Sequence, residues 1–483
     1  MLRQSTPGPR RPYLPTLAQL QQRRGSLLAD PPQPQPVQQT QHPERDTYRP
    51  HPPEHLPPPE SPRTASPTPS ANPHLAEPAL HGLAGQAVRT IAPHTEAHPA
   101  ALLLQLLAVF GNLLGRGPHC MVDATRHTLN LYLVLVGDSS KARKGTSWGQ
   151  IARLFAEVDQ PWLNTRVTAA RLTAAGLIQA LRDPHPPTDR RHLALSEEFA
   201  SVLQTLKRGN GNLSSLLRCV WDSGHLPAVD TPQHPQPPAA HLSLIAHITR
   251  RELIQSLPRT EAHNGFANRC LWAWVHRSNC LPDGGSLTTH DLLPIARDLR
   301  SALDWAAASP EILFRRDPAA RELWQDRYPT LSQLEPGLRG AATSRAEAQV
   351  LRLSAIYAAL DSTSVIGLPH LQAALAVWDY CYASAALLFG MSTGDPIADR
   401  IREAIEASGD GLSKYQIRRL FHGHIEGHRI DAALETLVAV GALAAHSEPT
   451  RGRPFTRWSL ASENEPGPNE ECIAEDQSPS EDQ

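Results

Sequence analysis

The sequence predicts an α/β protein: a mostly parallel sheet wound on both faces by helices, a helical lid, a C-terminal winged helix-turn-helix and disordered termini. Three observations predict it. Short runs rich in Leu, Val and Ile alternate with segments of helical periodicity between about residues 120 and 275, the pattern of a doubly wound sheet. One apolar strand, Leu131 to Val136, runs into a glycine-bounded polar loop and then a helix. Near the C-terminus, three short helical segments precede two strand-like runs around a basic turn.

The 483 residues are too many for one ordinary domain. They divide into a Pro-rich disordered region (1–84), an α/β core (85–285), a helical lid (286–392), a winged helix (393–461) and an acidic disordered tail (462–483). The first region is dominated by Pro, Gln, His, Arg and Ser, and such a segment buries too little apolar surface to offset the entropy of ordering. The tail carries eight acidic residues and no Lys or Arg, so within a net charge of −2 the preceding residues hold +6. An acidic tail beside a mildly basic body either competes with nucleic acid for a basic surface or keeps the chain soluble.

Pro99 to Leu114 is apolar on most sides and reads as a buried helix. Cys120 to Val136 alternates and then becomes continuously apolar, as a strand buried on both faces does. Thr146 to Val158 resumes helical periodicity, and Ala169 to Leu181 is helical. Arg191 to Phe199 is a strand running into Ser196-Glu197-Glu198. Asn212 to Trp221 is a helix, His241 to Ile248 a strand, Arg250 to Leu257 a helix and Cys270 to Val275 a strand. Leu287 to Leu388 is helical, longest at Ser344 to Leu360 and Leu368 to Leu388. Helices then follow at Pro396 to Ala407, with Asp395 as N-cap, at Ser413 to Phe421, with a capping box to Gln416, and at Glu426 to Val440.

None of the six cysteines stands in C-x-x-C spacing and no histidine cluster completes a zinc set, which points to free thiols in a reducing compartment. No leader-like apolar run follows the N-terminal arginines, and no apolar stretch reaches the roughly 18 residues that span a bilayer. A soluble, cytoplasmic protein without a membrane partner is expected.

The loop Gly137-Asp-Ser-Ser-Lys141-Ala-Arg143-Lys144-Gly145-Thr146-Ser147 has the ingredients of a phosphate cradle. Backbone N–H groups and a helix N-terminus converge on anionic oxygens, a lysine adds charge and a hydroxyl holds magnesium. Its spacing departs from G-x-x-x-x-G-K-[ST]: Ala142 stands where the second glycine belongs, and Gly145 is inserted before the hydroxyl. A polar surface turn would use the same residues. Glu197 and Glu198 after a strand suit a magnesium shell and a polarised water, or simply a solvated helix start. His247 ends another strand, where it is either a sensor of the phosphate or a satisfied core histidine.

Four strings carry a resemblance: Leu135 to Trp148, Leu195 to Phe199, Ser243 to Thr249 and Asn264 to Trp272. Over about Gly82 to Leu388 the chain resembles a domain-of-unknown-function family of predicted P-loop ATPases, found in bacterial genomes and mobile elements, often beside or fused to primase modules. That family is similar to replicative helicases of the RecA-like and AAA+ kinds. The resemblance implies ATP and Mg2+ as cofactors, with Lys144 and Thr146 on phosphate and magnesium and Lys141 or Arg143 as substitutes in another register. It implies Glu198 as the hydrolytic acid with Glu197 as its alternate, His247 as sensor, Arg269 as an arginine finger acting on a neighbouring subunit, and Arg345 as a lid arginine. It also implies a homo-oligomer, which could be a ring, and a primase or other replication protein as partner.

In the winged helix, His424, His428 and Arg429 would face DNA, supported by Lys414, Arg418 and Arg419, with Arg451, Arg453 and Arg457 in the wing. Such modules also dock proteins. The functional expectation is an ATP-dependent, helicase-like or replication-initiation protein that acts on DNA. The alternative is a non-enzymatic DNA-binding regulator or partition-type protein whose loop is degenerate.

Overall fold

The computed structural model describes residues 72–169, 172–182, 190–207, 212–226, 239–309, 311–390, 393, 395–439, 441–448 and 455–461. All fall within the second of the two units of the chain, Thr68–Gln483. The expected disordered N-terminal region up to residue 71, the wing tip with Arg451 and Arg453, and the acidic tail lie outside the described residues.

The centre is a five-stranded parallel sheet. Its strands are β1 (Tyr132–Val136), β2 (Val167–Thr168), β3 (Arg191–Ser196), β4 (His241–Ile248) and β5 (Cys270–Trp274), in the spatial order β2-β3-β4-β1-β5. β1, β4 and β5 are buried along their whole length. Alternate side chains enter different cores, as the strand period of two requires. Leu133, Leu135, Leu193, Ile245 and Leu271 belong to one core, and Tyr132, Val134, Ala194, Leu244 and Trp272 to the other. Helices cover both faces, and the expected doubly wound α/β architecture is observed.

The first core is filled by α1 (Pro99–Leu113), α2 (Lys144–Arg166), α3 (Thr289–Ala307), α5 (Ala346–Leu360) and α6 (Leu368–Phe389), while α4 (Pro318–Leu331) flanks α6. α1 is apolar all round because it is buried all round. His98 caps it through Nδ1, which accepts from the Ala100 N–H at 3.2 Å. Its one polar anchor near the C-terminus, Asn112, donates to the carbonyls of His192 (2.9 Å) and His241 (3.3 Å), fastening α1 to β3 and β4.

Several boundaries differ from expectation. The segment 120–136 is two elements, a hairpin Pro118–Val122/Thr125–Thr128 and then β1, because Asp123 turns the chain with φ 48°. Order begins before residue 85: a short 3-10 helix Glu77–Leu80 and the helix Gly82–Ile91 bury Ala79, Ala84, Val88 and Ile91. In the 286–392 segment, expected as a helical lid, α3, α5 and α6 share the core of the sheet. It also holds short strands at Ile312–Leu313, Arg315–Arg316 and Val365–Ile366.

The C-terminal part has its own core, built from Ile397, Ile401, Ile405, Ile417, Ile430, Leu434 and Leu437. Its helices are Pro396–Ser408, Lys414–Leu420 and Gly427–Ala439, with an antiparallel sheet ordered Leu412–Ser413, Phe455–Leu460, Leu443–Glu448. Asp395 accepts from the Ile397 N–H at 3.0 Å, and Ser413 with Gln416 forms the capping box. Among the described residues, no helix is long and apolar enough to cross a membrane. The five described cysteines are free.

Candidate nucleotide-phosphate site

β1 ends between β4 and β5, and the Gly137 loop leaves from the carboxyl edge of the sheet. That edge, where neighbouring strands lead in different directions, is where open α/β sheets bind ligands. Gly137 is packed so closely that an added β-carbon would stand 2.5 Å from the Ala142 β-carbon and 2.6 Å from the Val275 carbonyl oxygen. Its own N–H donates to the Ile248 carbonyl at 3.3 Å. A short 3-10 turn follows, capped by Ser139, whose Oγ accepts from the Lys141 N–H at 3.1 Å. Arg143 then adopts φ 56°, ψ 30° and turns the chain into α2.

No side chain caps α2, so the positive end of its dipole faces outward with Gly145 and Thr146 exposed. Lys144 is the buried cation at this end, 9% exposed. Its ammonium donates to the carbonyls of Gly137 (3.4 Å) and Ser139 (3.1 Å). Burial pulls its pKa below the ordinary lysine value, with Glu252 and Asp138 opposing that shift. Ser147, expected beside the phosphate, faces the core instead. It accepts from Gln105 Nε2 at 2.7 Å and donates to the Lys144 carbonyl at 2.6 Å.

Of the two glutamates after β3, Glu197 is the one brought to the loop: its Oε1 lies 3.8 Å from where a β-carbon on Gly145 would sit. Both glutamate side chains are exposed, and the Glu198 backbone carbonyl starts the next helix by accepting from the N–H and hydroxyl of Ser201, at 3.0 and 2.9 Å. His247 is buried beside Lys144 with no partner for Nε2. Burial, then the Lys144 charge, holds its pKa down to about 4. It is therefore a neutral imidazole at pH 7 with an unfilled polar atom next to the loop.

The other cations expected at the loop are differently engaged. Arg143 Nε donates to Glu96 Oε2 at 2.6 Å, and Lys141 is exposed. Arg269 precedes β5 and so lies at the opposite edge of the sheet from the loop. It is 7% exposed and forks onto Asp222 through Nε (3.3 Å) and Nη2 (2.5 Å). The guanidinium is paired within its own chain. Arg345, expected as a lid arginine, shares that carboxylate at 3.6 Å and sits over the Trp221 ring. Arg352 stacks on the same ring at 3.5 Å.

His81, Asp361 and His370 are grouped closely enough to suggest a metal, with both Nε2 atoms on Asp361 Oδ2 at 2.9 and 3.0 Å. The tautomer argues against one. His370 Nδ1 accepts from the Gly367 N–H at 3.0 Å, so Nε2 carries the proton and donates to Asp361. A ligating histidine directs its other nitrogen as a donor. The trio is a hydrogen-bonded clasp.

In the C-terminal part, Arg418, Arg419, His428 and Arg429 are exposed. Lys414 is paired with Asp431 at 2.5 Å, and Arg457 donates to the Gly411 carbonyl at 3.3 Å. Those two cations therefore have structural partners as well as any surface role.

No family model matches the chain, and no curated protein matches it. Two participants escaped the sequence reading: Glu252, whose charge bears on Lys144, and Glu96, which takes Arg143. Thr249 and Glu252 show capping-box spacing, but that signal reports a helix start, not a neighbour of the loop.

Proposed function

We propose that this chain binds ATP with magnesium at the Gly137–Ser147 loop and couples hydrolysis to DNA held by the C-terminal domain, acting there as a winged helix. The observation that carries this reading is Lys144, a buried cation at the uncapped N-terminus of α2, opposite the Glu197 carboxylate. Buried cations are costly without anions, and here only loop carbonyls satisfy the ammonium. Phosphate oxygens are stronger acceptors for the same protons. Bound magnesium would neutralise phosphate charge, and the exposed Thr146 hydroxyl with Glu197 would hold it. Neutral His247, buried beside Lys144, has a nitrogen without a hydrogen-bond partner to offer. Exposed Arg418, Arg419 and Arg429 supply the cations that a DNA backbone contact needs.

Lys144→Ala should weaken nucleotide binding by about tenfold or more, the loss of one charge-assisted contact. Glu197→Gln should retain binding and lose DNA-stimulated phosphate release, while Glu198→Gln releases phosphate like wild type. One observation favours the second reading, a DNA-binding regulator with a closed loop: Ala142 is buried against Gly137, and Lys144 fills the loop's own carbonyls. Wild-type protein that neither binds ATP nor releases phosphate with any DNA would establish that reading instead.

A further inference from the structure

A cavity of about 600 Å³ opens at the edge of the sheet opposite the loop, between the 118–128 hairpin, α4 and the start of α5. Its volume suits one small ligand or one nucleotide. Two cations line it, Arg316 and Arg345, with one carboxylate, Glu347. The Arg316 guanidinium lies 3.9 Å over the Trp324 ring, and Tyr328 stands one helical turn further on, with ring centroids 5.6 Å apart. Met121, Val122 and Tyr328 expose 44%, 45% and 46% of their surface around it.

The polar groups of this cavity are unusually short of partners. Arg316 Nε and Nη2, His127 Nδ1 and Asn268 Oδ1 are all buried without a hydrogen bond. Each such group costs about 1–3 kcal/mol while unpaired. Arg316 Nε and Nη2 are the same pair of nitrogens that Arg269 uses to grip Asp222, the geometry that matches a carboxylate or phosphate. Cations beside the half-buried Trp324 ring and the exposed Tyr328 ring, with two donors and an acceptor unfilled, match a phosphate joined to a base.

We infer that this cavity binds a nucleotide unit of single-stranded nucleic acid, its base against Trp324 and Tyr328 and its phosphate toward Arg316 and Arg345. A duplex does not offer a free base face, so a strand is the matching form. A free mononucleotide has the same chemistry and is separated by the test. Binding in this cavity requires no turnover at the Gly137 loop.

The test is fluorescence anisotropy of the full chain with a labelled oligo-dT of about ten nucleotides. Arg316→Ala and Trp324→Ala should each weaken binding by about tenfold or more, in line with the loss of one stacked base. Trp324→Phe, which keeps a ring, should stay within about threefold of wild type. Lys144→Ala should bind oligo-dT normally, so failure of the ATP reading leaves this one testable. The Arg418→Ala/Arg419→Ala double variant should keep oligo-dT while losing duplex. Competition by free dTMP would assign the cavity to a mononucleotide, and lack of competition to a strand. Should Arg316→Ala lower the melting temperature, Trp324→Ala against Trp324→Phe decides. The inference is overturned if oligo-dT binds equally to wild type, Arg316→Ala and Trp324→Ala, or if only the Arg418/Arg419 variant loses oligo-dT.

Discussion

Acidification from pH 7 to pH 5 should bring this protein close to unfolding, through histidines rather than carboxylates. Burial holds His98, His127, His192 and His247 down to about 4, and His241 to about 3. The sign follows from linkage. The unfolded chain takes up protons as the pH falls through about 6.5, while the folded chain refuses them until about 4, so stability drops across that interval. At pH 5 each fully buried histidine costs about 2 kcal/mol relative to pH 7. His192, His241 and His247, the most buried of the set at 4%, 1% and 3% exposed, therefore remove about 6 kcal/mol together. That is a large part of the roughly 5–15 kcal/mol by which domains are stable. Guanidinium melts followed by tryptophan fluorescence at pH 7, 6 and 5 measure it. His241→Gln, which keeps an N–H for the Gly111 carbonyl now 2.9 Å away, should recover about 2 kcal/mol of the loss. A denaturation midpoint that does not move between pH 7 and 5, or a His241→Gln variant as acid-sensitive as wild type, would show that these buried histidines do not set the acid limit.

Gly137→Ala should cost about 2–3 kcal/mol in a denaturant melt, because the new methyl meets Ala142 at 2.5 Å and the Val275 carbonyl at 2.6 Å. Zinc or a chelator should leave the melting temperature unchanged, given the proton on His370 Nε2. Asp361→Ala should lower stability by about 1–3 kcal/mol, since it strands two imidazole donors.

The sheet was legible where apolar runs are long. β4 coincides with its expected span because eight consecutive residues are buried. The hairpin at 118–128 merged with β1 because the strand alternation continues across Asp123, and only the left-handed backbone there reveals the turn. The strands at 312–316 are two residues each, too short for a period to register. The 3-10 turn at Glu77–Leu80 was hidden by the proline-rich composition around it. At the site, Lys144 and the glutamate pair were readable as residue types. Which glutamate approaches Gly145, and that Ser147 points into the core, depend on backbone geometry that residue type does not report. The engagement of Arg143 by Glu96 and of Arg269 by Asp222 depends on partners 47 residues away in each case, a distance at which no local pattern carries information.

β5 joins two very different places. At Trp274 it borders the strand that launches the loop, and at Cys270 it adjoins Arg269 and Asn268 beside the arginine-lined cavity. Five extended residues span about 16 Å, and all five are enclosed. Such a segment has no slack to absorb a push, because close-packed interiors pass displacement on instead of compressing. An axial shift at one end therefore arrives at the other with little loss, and this strand is the molecule's connecting rod.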